Sequence, residues 1–237
     1  MRKLIGSLLT AFFLLAPLSP VQADSTIVRI VSPAHQTFTG EFRNDDLAQE
    51  LTPSGRLGQL VYVSASRSKI WVIDPALIDE VVAMTGEYKL ATDAEPLGSK
   101  IAVDWLTQLQ KVSRANEVVA LAYGNPDVAL ATSLAPSELK MYYTFGKSQL
   151  QVALGRIVRS EPDGGWSTGK SKLSPVLKKN YSDSRKALTR LSRAVEDPEL
   201  MLMRARLSRL LSPSLDKDSR DYFSYSAKVA VDAQVRK

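Results

Sequence analysis

Two acidic residues stand where an α/β protein would place its chemistry. Asp74 follows the apolar run Ile70-Trp71-Val72-Ile73 and precedes Pro75. Asp127 follows a second such run, Val118 to Tyr123, after the turn Gly124-Asn125-Pro126. Both positions read as strand-to-helix turns, the rim at which parallel sheets present their sites. If the two strands are near neighbours, the two carboxyl groups converge. A carboxylate pair is the minimum for glycoside hydrolysis, one acting as acid and the other as base or nucleophile. Tyr123 and Asn125 are the candidate binding residues beside them. A structural explanation also covers these residues. Asp74 before Pro75 and Asn125 before Pro126 have the form of helix N-caps, worth about 1 kcal/mol each. Asp127 would favour the positive end of the helix that follows by about 0.5 kcal/mol.

Composition removes several other chemistries. The chain has no cysteine, so thiol catalysis, iron–sulfur clusters and cysteine zinc sites are excluded. His35 is the one histidine, so multi-histidine metal sites are excluded too. No metal or cofactor is expected. The sequence contains no P-loop, GxGxxG, GxSxG or HExxH pattern. His35 lies in a loop near Pro33 and reads as a solvated side chain, with catalysis as the other reading.

The elements that must position these residues can be read in order. Ser25 to Ser32 alternates β-branched residues with others and reads as the first strand. Asn44 to Leu51 reads as a short helix with Asn44 as its cap. The segment from Leu57 that follows Gly55-Arg56 fits helix or strand equally. The first strand-cap-proline-helix unit spans Lys69 to Met84 and recurs over Glu117 to Thr132, with the cap-proline pair Asn125-Pro126 lying 51 positions after Asp74-Pro75. Between the two units, Lys100 to Ala115 carries Ile101, Trp105, Leu109 and Val112 on one stripe, the mark of an amphipathic helix with Trp105 in the core. Helices are expected at Pro126 to Leu134 and Pro136 to Leu154. Beyond a polar, glycine-rich break come further helices, one from Ser184 and one capped by Asp197-Pro198. A last segment, Arg220 to Val235, reads as helix or edge strand.

Charge divides the chain. Residues 24–155 hold 11 Lys+Arg against 15 Asp+Glu, whereas residues 156–237 hold 18 against 10. The basic half could bind anionic polymers or a membrane surface through Arg204, Arg206 and Arg209, or those arginines could simply be solvated. At the N-terminus, Arg2 and Lys3 precede the apolar run Leu4 to Ala16, and Val21-Gln22-Ala23 supplies small residues for cleavage. That pattern is a secretory signal peptide ending before Asp24, with an uncleaved anchor as the other reading. Nucleic acid is not expected as a partner of an exported chain.

Three stretches together resemble a known family. They are Leu47-Ala48-Gln49-Glu50-Leu51 with Gly55-Arg56-Leu57, then Trp71-Val72-Ile73-Asp74-Pro75-Ala76-Leu77, then Trp105-Leu106 with Leu121-Ala122-Tyr123-Gly124-Asn125-Pro126-Asp127. Their order and spacing, over roughly residues 25–155, are similar to an uncharacterised family of actinobacterial envelope proteins, often encoded beside the lipid II flippase. The resemblance implies a partial (β/α)-barrel distantly similar to polysaccharide deacetylases and glycosidases. Ala122 stands where that family usually has proline, and Asn125 where it usually has aspartate.

The expectation is therefore an exported α/β protein in four parts. Residues 1–23 are the signal peptide and 24–158 a partial or open (β/α)-barrel-like domain. Residues 159–172 form a polar linker and 173–237 a basic helical extension. Without its signal peptide the chain is shorter than the roughly 250 residues typical of a closed eight-unit barrel. The expected function is non-catalytic binding or scaffolding of a cell-wall polysaccharide or an envelope protein. The alternative is a weak or degenerate carbohydrate-active hydrolase or deacetylase using Asp74 and Asp127.

Overall fold

The computed structural model describes residues 25–63, 68–92, 94–160 and 172–237. The signal peptide expected at residues 1–23 lies outside the described residues, as does residues 161–171 of the expected linker. Four parallel strands form one sheet in the order β1-β2-β3-β4: β1 (Thr26–Ile30), β2 (Lys69–Ile73), β3 (Glu117–Ala120) and β4 (Arg159–Ser160). Parallel neighbours need long crossovers, and each crossover here carries two helices. They are α1 (Asp46–Leu51) and α2 (Arg56–Tyr62), then α3 (Pro75–Thr85) and α4 (Ser99–Ser113), then α5 (Val128–Leu134) and α6 (Pro136–Leu154). Three further helices follow β4: α7 (Pro175–Ala194), α8 (Pro198–Arg206) and α9 (Lys217–Val235). A 3-10 turn at Leu207–Leu211 joins α8 to the segment before α9.

Strand periodicity sorts the sheet's two faces. Val28, Ile30, Trp71, Ile73, Val118 and Ala120 share a core with α1, α2, α3, α4 and the end of α6. Val72, Val119 and Leu121 form a separate small cluster, against which Val31 and Ile70 pack. Trp105 is fully buried in the larger core, and its indole N–H donates to the Leu57 carbonyl at 3.1 Å. The segment from Leu57, open between two readings in the sequence, is helical because Leu57 and Val61 must both face this core. The last segment is helical as well, with Phe223, Ala227, Ala230 and Val231 buried.

A second core joins the C-terminal helices to the sheet's rim. Ala34, Phe38, Ala76 and Tyr123 pack with Leu139 and Tyr142 of α6, and with Leu188, Leu200, Leu207, Leu210 and Phe223 from beyond β4. Polar anchors reinforce it. Glu138 of α6, 1% exposed, accepts two hydrogen bonds from the Arg204 guanidinium at 2.7 and 2.8 Å. The Tyr142 and Tyr181 hydroxyls meet at 3.1 Å.

Candidate functional site

Asp74 ends β2 and caps α3, as its position before proline predicts. Its Oδ1 accepts from the Ala76 N–H at 3.0 Å. The same oxygen accepts from the Gly124 N–H at 2.9 Å, which fastens the turn after β3 to the turn after β2. Its other oxygen receives the Arg209 guanidinium at 3.0 Å. Arg209 also donates to the Ser32 carbonyl beyond β1 at 3.2 Å and to Glu80 Oε1 on α3 at 3.1 Å. One guanidinium thus ties the ends of β1 and β2 to helix α3. All three charged groups are inside: Asp74 is 0%, Arg209 2% and Glu80 5% exposed. Burial pushes the Asp74 carboxyl up, opposed by Arg209 and the two backbone N–H groups. Burial disfavours the charge on Arg209, yet Asp74 and Glu80 hold its pKa above the ordinary value.

Around this centre the rim is filled by polar contacts. His35 is buried, not solvated; its Nε2 lies 3.0 Å from Ser32 Oγ. Burial pushes the imidazole below its usual range against the pull of Glu80 and Glu50. A serine beside a histidine has the composition of a nucleophile and base. Here, however, Ser32 is 2% exposed, and its oxygen is also bonded to Glu50 and Arg56. No acyl group could reach it. On the other side, burial pushes the Asp79 carboxyl up to about 7 against the pull of the Tyr123 hydroxyl and of Arg206. Arg206 donates to the Phe38 carbonyl at 3.0 Å and to Gln36. Its guanidinium rests against Gly40, where an added Cβ would approach both terminal nitrogens at 3.2 Å.

The sequence-predicted residues gather here in a different arrangement from the one expected. Asn125 is not the cap of α5. Gly124 and Asn125 both take positive φ, 76° and 46°, so the chain makes a left-handed turn and the helix starts later. Asparagine is among the few residues that tolerate that conformation. The cap is Asp127, whose Oδ1 accepts from the Leu130 N–H at 3.0 Å. Its own N–H donates to the Leu211 carbonyl at 2.9 Å, seating the 3-10 turn on the rim. Tyr123 is 2% exposed and Asn125 4%. Arg204, Arg206 and Arg209 turn inward onto Glu138, onto Phe38 and Gln36, and onto Asp74 with Glu80, respectively. Three of the groups that organise the site, Glu80, Asp79 and Ser32, have no motif around them. The signal for Glu80 was its spacing from Ala76, Leu77 and Met84, which puts it on the buried side of α3.

The space left at the rim is small. The cavity between Gln36, Thr37, Glu80, Tyr123, Arg206 and Arg209 has a volume of about 10 Å³, room for about one water molecule. Among the described residues, no cluster of three or more histidines and carboxylates could hold a metal ion, and no helix is long and apolar enough to cross a membrane. No family model matches the chain, and neither the curated proteins nor the solved structures contain a match.

Proposed function

We propose that this protein is an exported, non-catalytic module of the cell envelope, binding an anionic cell-wall polymer or an envelope partner. One observation carries the reading. The acids that could do hydrolytic chemistry at the strand ends are sealed. Asp74 is fully buried and ion-paired to Arg209, and Asp127 is occupied as a helix cap. A sugar ring has no access to a 10 Å³ cavity. The 3-10 turn that carries Arg209 lies where a substrate would have to enter.

Two further features support parts of the reading. The parallel strand order 1-2-3-4, with two helices in each crossover, is one that an arc of a (β/α)-barrel would have. An open barrel-like sheet plugged at its usual active face is the form a degenerate hydrolase would take. On the surface, α7 exposes Lys178, Lys179, Lys186, Arg190 and Arg193, a basic face suited to anionic polymers. Export rests on the residue pattern of the first 23 positions.

The test is a pull-down of residues 24–237 on purified cell wall, with mass spectrometry of the supernatant. Expected is retention that weakens as salt rises and as Lys186, Arg190 and Arg193 are changed to glutamate, with no fragments released. Release of sugars, acetate or peptides that disappears in Asp74→Asn would overturn the reading in favour of the hydrolase.

A further inference from the structure

A groove of about 610 Å³ runs between α3, α6 and α8, on the far side of Tyr123 from the sealed rim. Its walls are mostly apolar: Val82 from α3, Phe145 from α6, Met201 and Leu202 from α8. Two charged groups, Asp79 and Arg206, also line it. The volume falls in the range of small-molecule sites, roughly 300–1,000 Å³, which combine apolar walls with a few placed polar groups. We propose that this groove binds a small apolar cation, an ammonium group on a hydrocarbon or aromatic body, with Asp79 as its counter-ion. The proposal does not depend on the cell-wall reading.

The charge count argues for the cation. Asp74, Glu80 and Asp79 present three carboxyl groups to one another, and Arg206 and Arg209 present two guanidinium groups. Arg209 is shared by Asp74 and Glu80. Arg206 donates to two neutral acceptors, the Phe38 carbonyl and Gln36, keeps its charge, and pulls the Asp79 carboxyl down. Glu50 and Arg56 balance each other farther along the rim, and burial disfavours a charge on His35. The cluster therefore lacks one positive charge, and Asp79 is the carboxyl of the three that a ligand in the groove can meet. Burial pushes it up to about 7, the Tyr123 hydroxyl and Arg206 pull it down, and Asp74 and Glu80 push it up again. A proton fills the place that a ligand's cation would take. Of the three carboxyl groups, only Asp79 lines the groove. Phe145 also lines the groove, and an aromatic ring attracts an ammonium ion placed over its face.

The experiment is isothermal titration calorimetry on the full chain with three probes of equal tail: n-octylammonium, 1-octanol and octanoate. At pH 8, octylammonium is expected to bind 1:1 and at least about tenfold tighter than octanol, a difference of about 1.4 kcal/mol. Octanoate is expected to bind weakest. At pH 5.5 Asp79 keeps its proton, and the amine's advantage falls by roughly tenfold or more. In Asp79→Asn the amine should bind no tighter than octanol, while octanol is unaffected. Ala83→Trp, on the exposed wall of α3, should block all three probes. An amine that binds no tighter than octanol, a tightest-binding octanoate, an unchanged Asp79→Asn, or no binding by any probe would each overturn the proposal.

Discussion

At the scale of single residues, the molecule turns on the charge shared by Asp74, Glu80 and Arg209. Removing one partner from a buried ion cluster costs more than the cluster itself contributes, because the charges left behind stay buried. Arg209→Met is thus expected to destabilise by about 3–5 kcal/mol in urea unfolding. Adding Asp74→Asn should recover part of that loss, since the amide oxygen can still accept from Ala76 and Gly124. If the double variant is no more stable than the single one, the pair is not coupled. Asp79 gives a pH signature of its own. Its folded pKa, about 7, stands above the ordinary 3.8, so the folded chain holds more protons between those values. Stability from this group is present below pH 3.8 and is lost as pH rises through 7. Asp79→Asn removes the charge, and should stabilise the protein at pH 8 by roughly 1–3 kcal/mol more than at pH 4, after allowance for screening at the groove. Thermal unfolding of both chains at the two pH values measures it; equal differences would mean that Asp79 ionises as it would in water.

At the scale of elements, the turn after β3 and the 3-10 turn are built to fit each other. Gly124 has φ 76°, and a Cβ there would lie 2.2 Å from Ser208 Oγ. Gly124→Ala therefore meets both a backbone cost of about 1–2 kcal/mol and a steric clash. Among the described residues Ser208 Oγ has no hydrogen-bond partner, so Ser208→Ala alone should be nearly neutral, and combined with Gly124→Ala it should relieve the steric part only. Chemical denaturation of the three variants tests this; additive losses would show that the two turns do not touch. Much of the element layer was legible in the sequence. Proline after a short carboxylate marked α3 and α8, the Trp105 stripe marked α4, and the repeat at 51 positions marked equivalent turns. What failed depended on contacts distant in sequence. The cap of α5 moved from Asn125 to Asp127 because the left-handed turn is held from Asp74 and seated by Leu211. The three arginines off an apolar stripe look solvated until their partners arrive: carboxylates 66 and 135 residues upstream for Arg204 and Arg209, and the Phe38 carbonyl 168 residues upstream for Arg206. His35 looks like a loop residue until Ser32 and Glu80 close around it.

At the scale of the whole molecule, the sheet and the C-terminal helices depend on the same contacts. A chain ending at residue 197 would lose Leu200, Leu207, Leu210 and Phe223 from the second core and would leave Asp74 and Glu80 without a cation. The ionic loss alone, about 3–5 kcal/mol, is a large part of the 5–15 kcal/mol that holds a typical domain. We expect that truncated chain to lack a cooperative transition. For the full chain we expect a single transition in calorimetry, with calorimetric and van't Hoff enthalpies equal. A second transition, or a folded truncated chain, would mean that the two parts stand alone. The separation between Asp74 and Arg209 has one more consequence. Polypeptides emerge from the ribosome N-terminus first, and the base follows the acid by 135 positions. For most of its own synthesis, the growing chain carries an acid with no base to meet it. The sheet's rim cannot close until Arg209 has emerged, well after all four strands have been made.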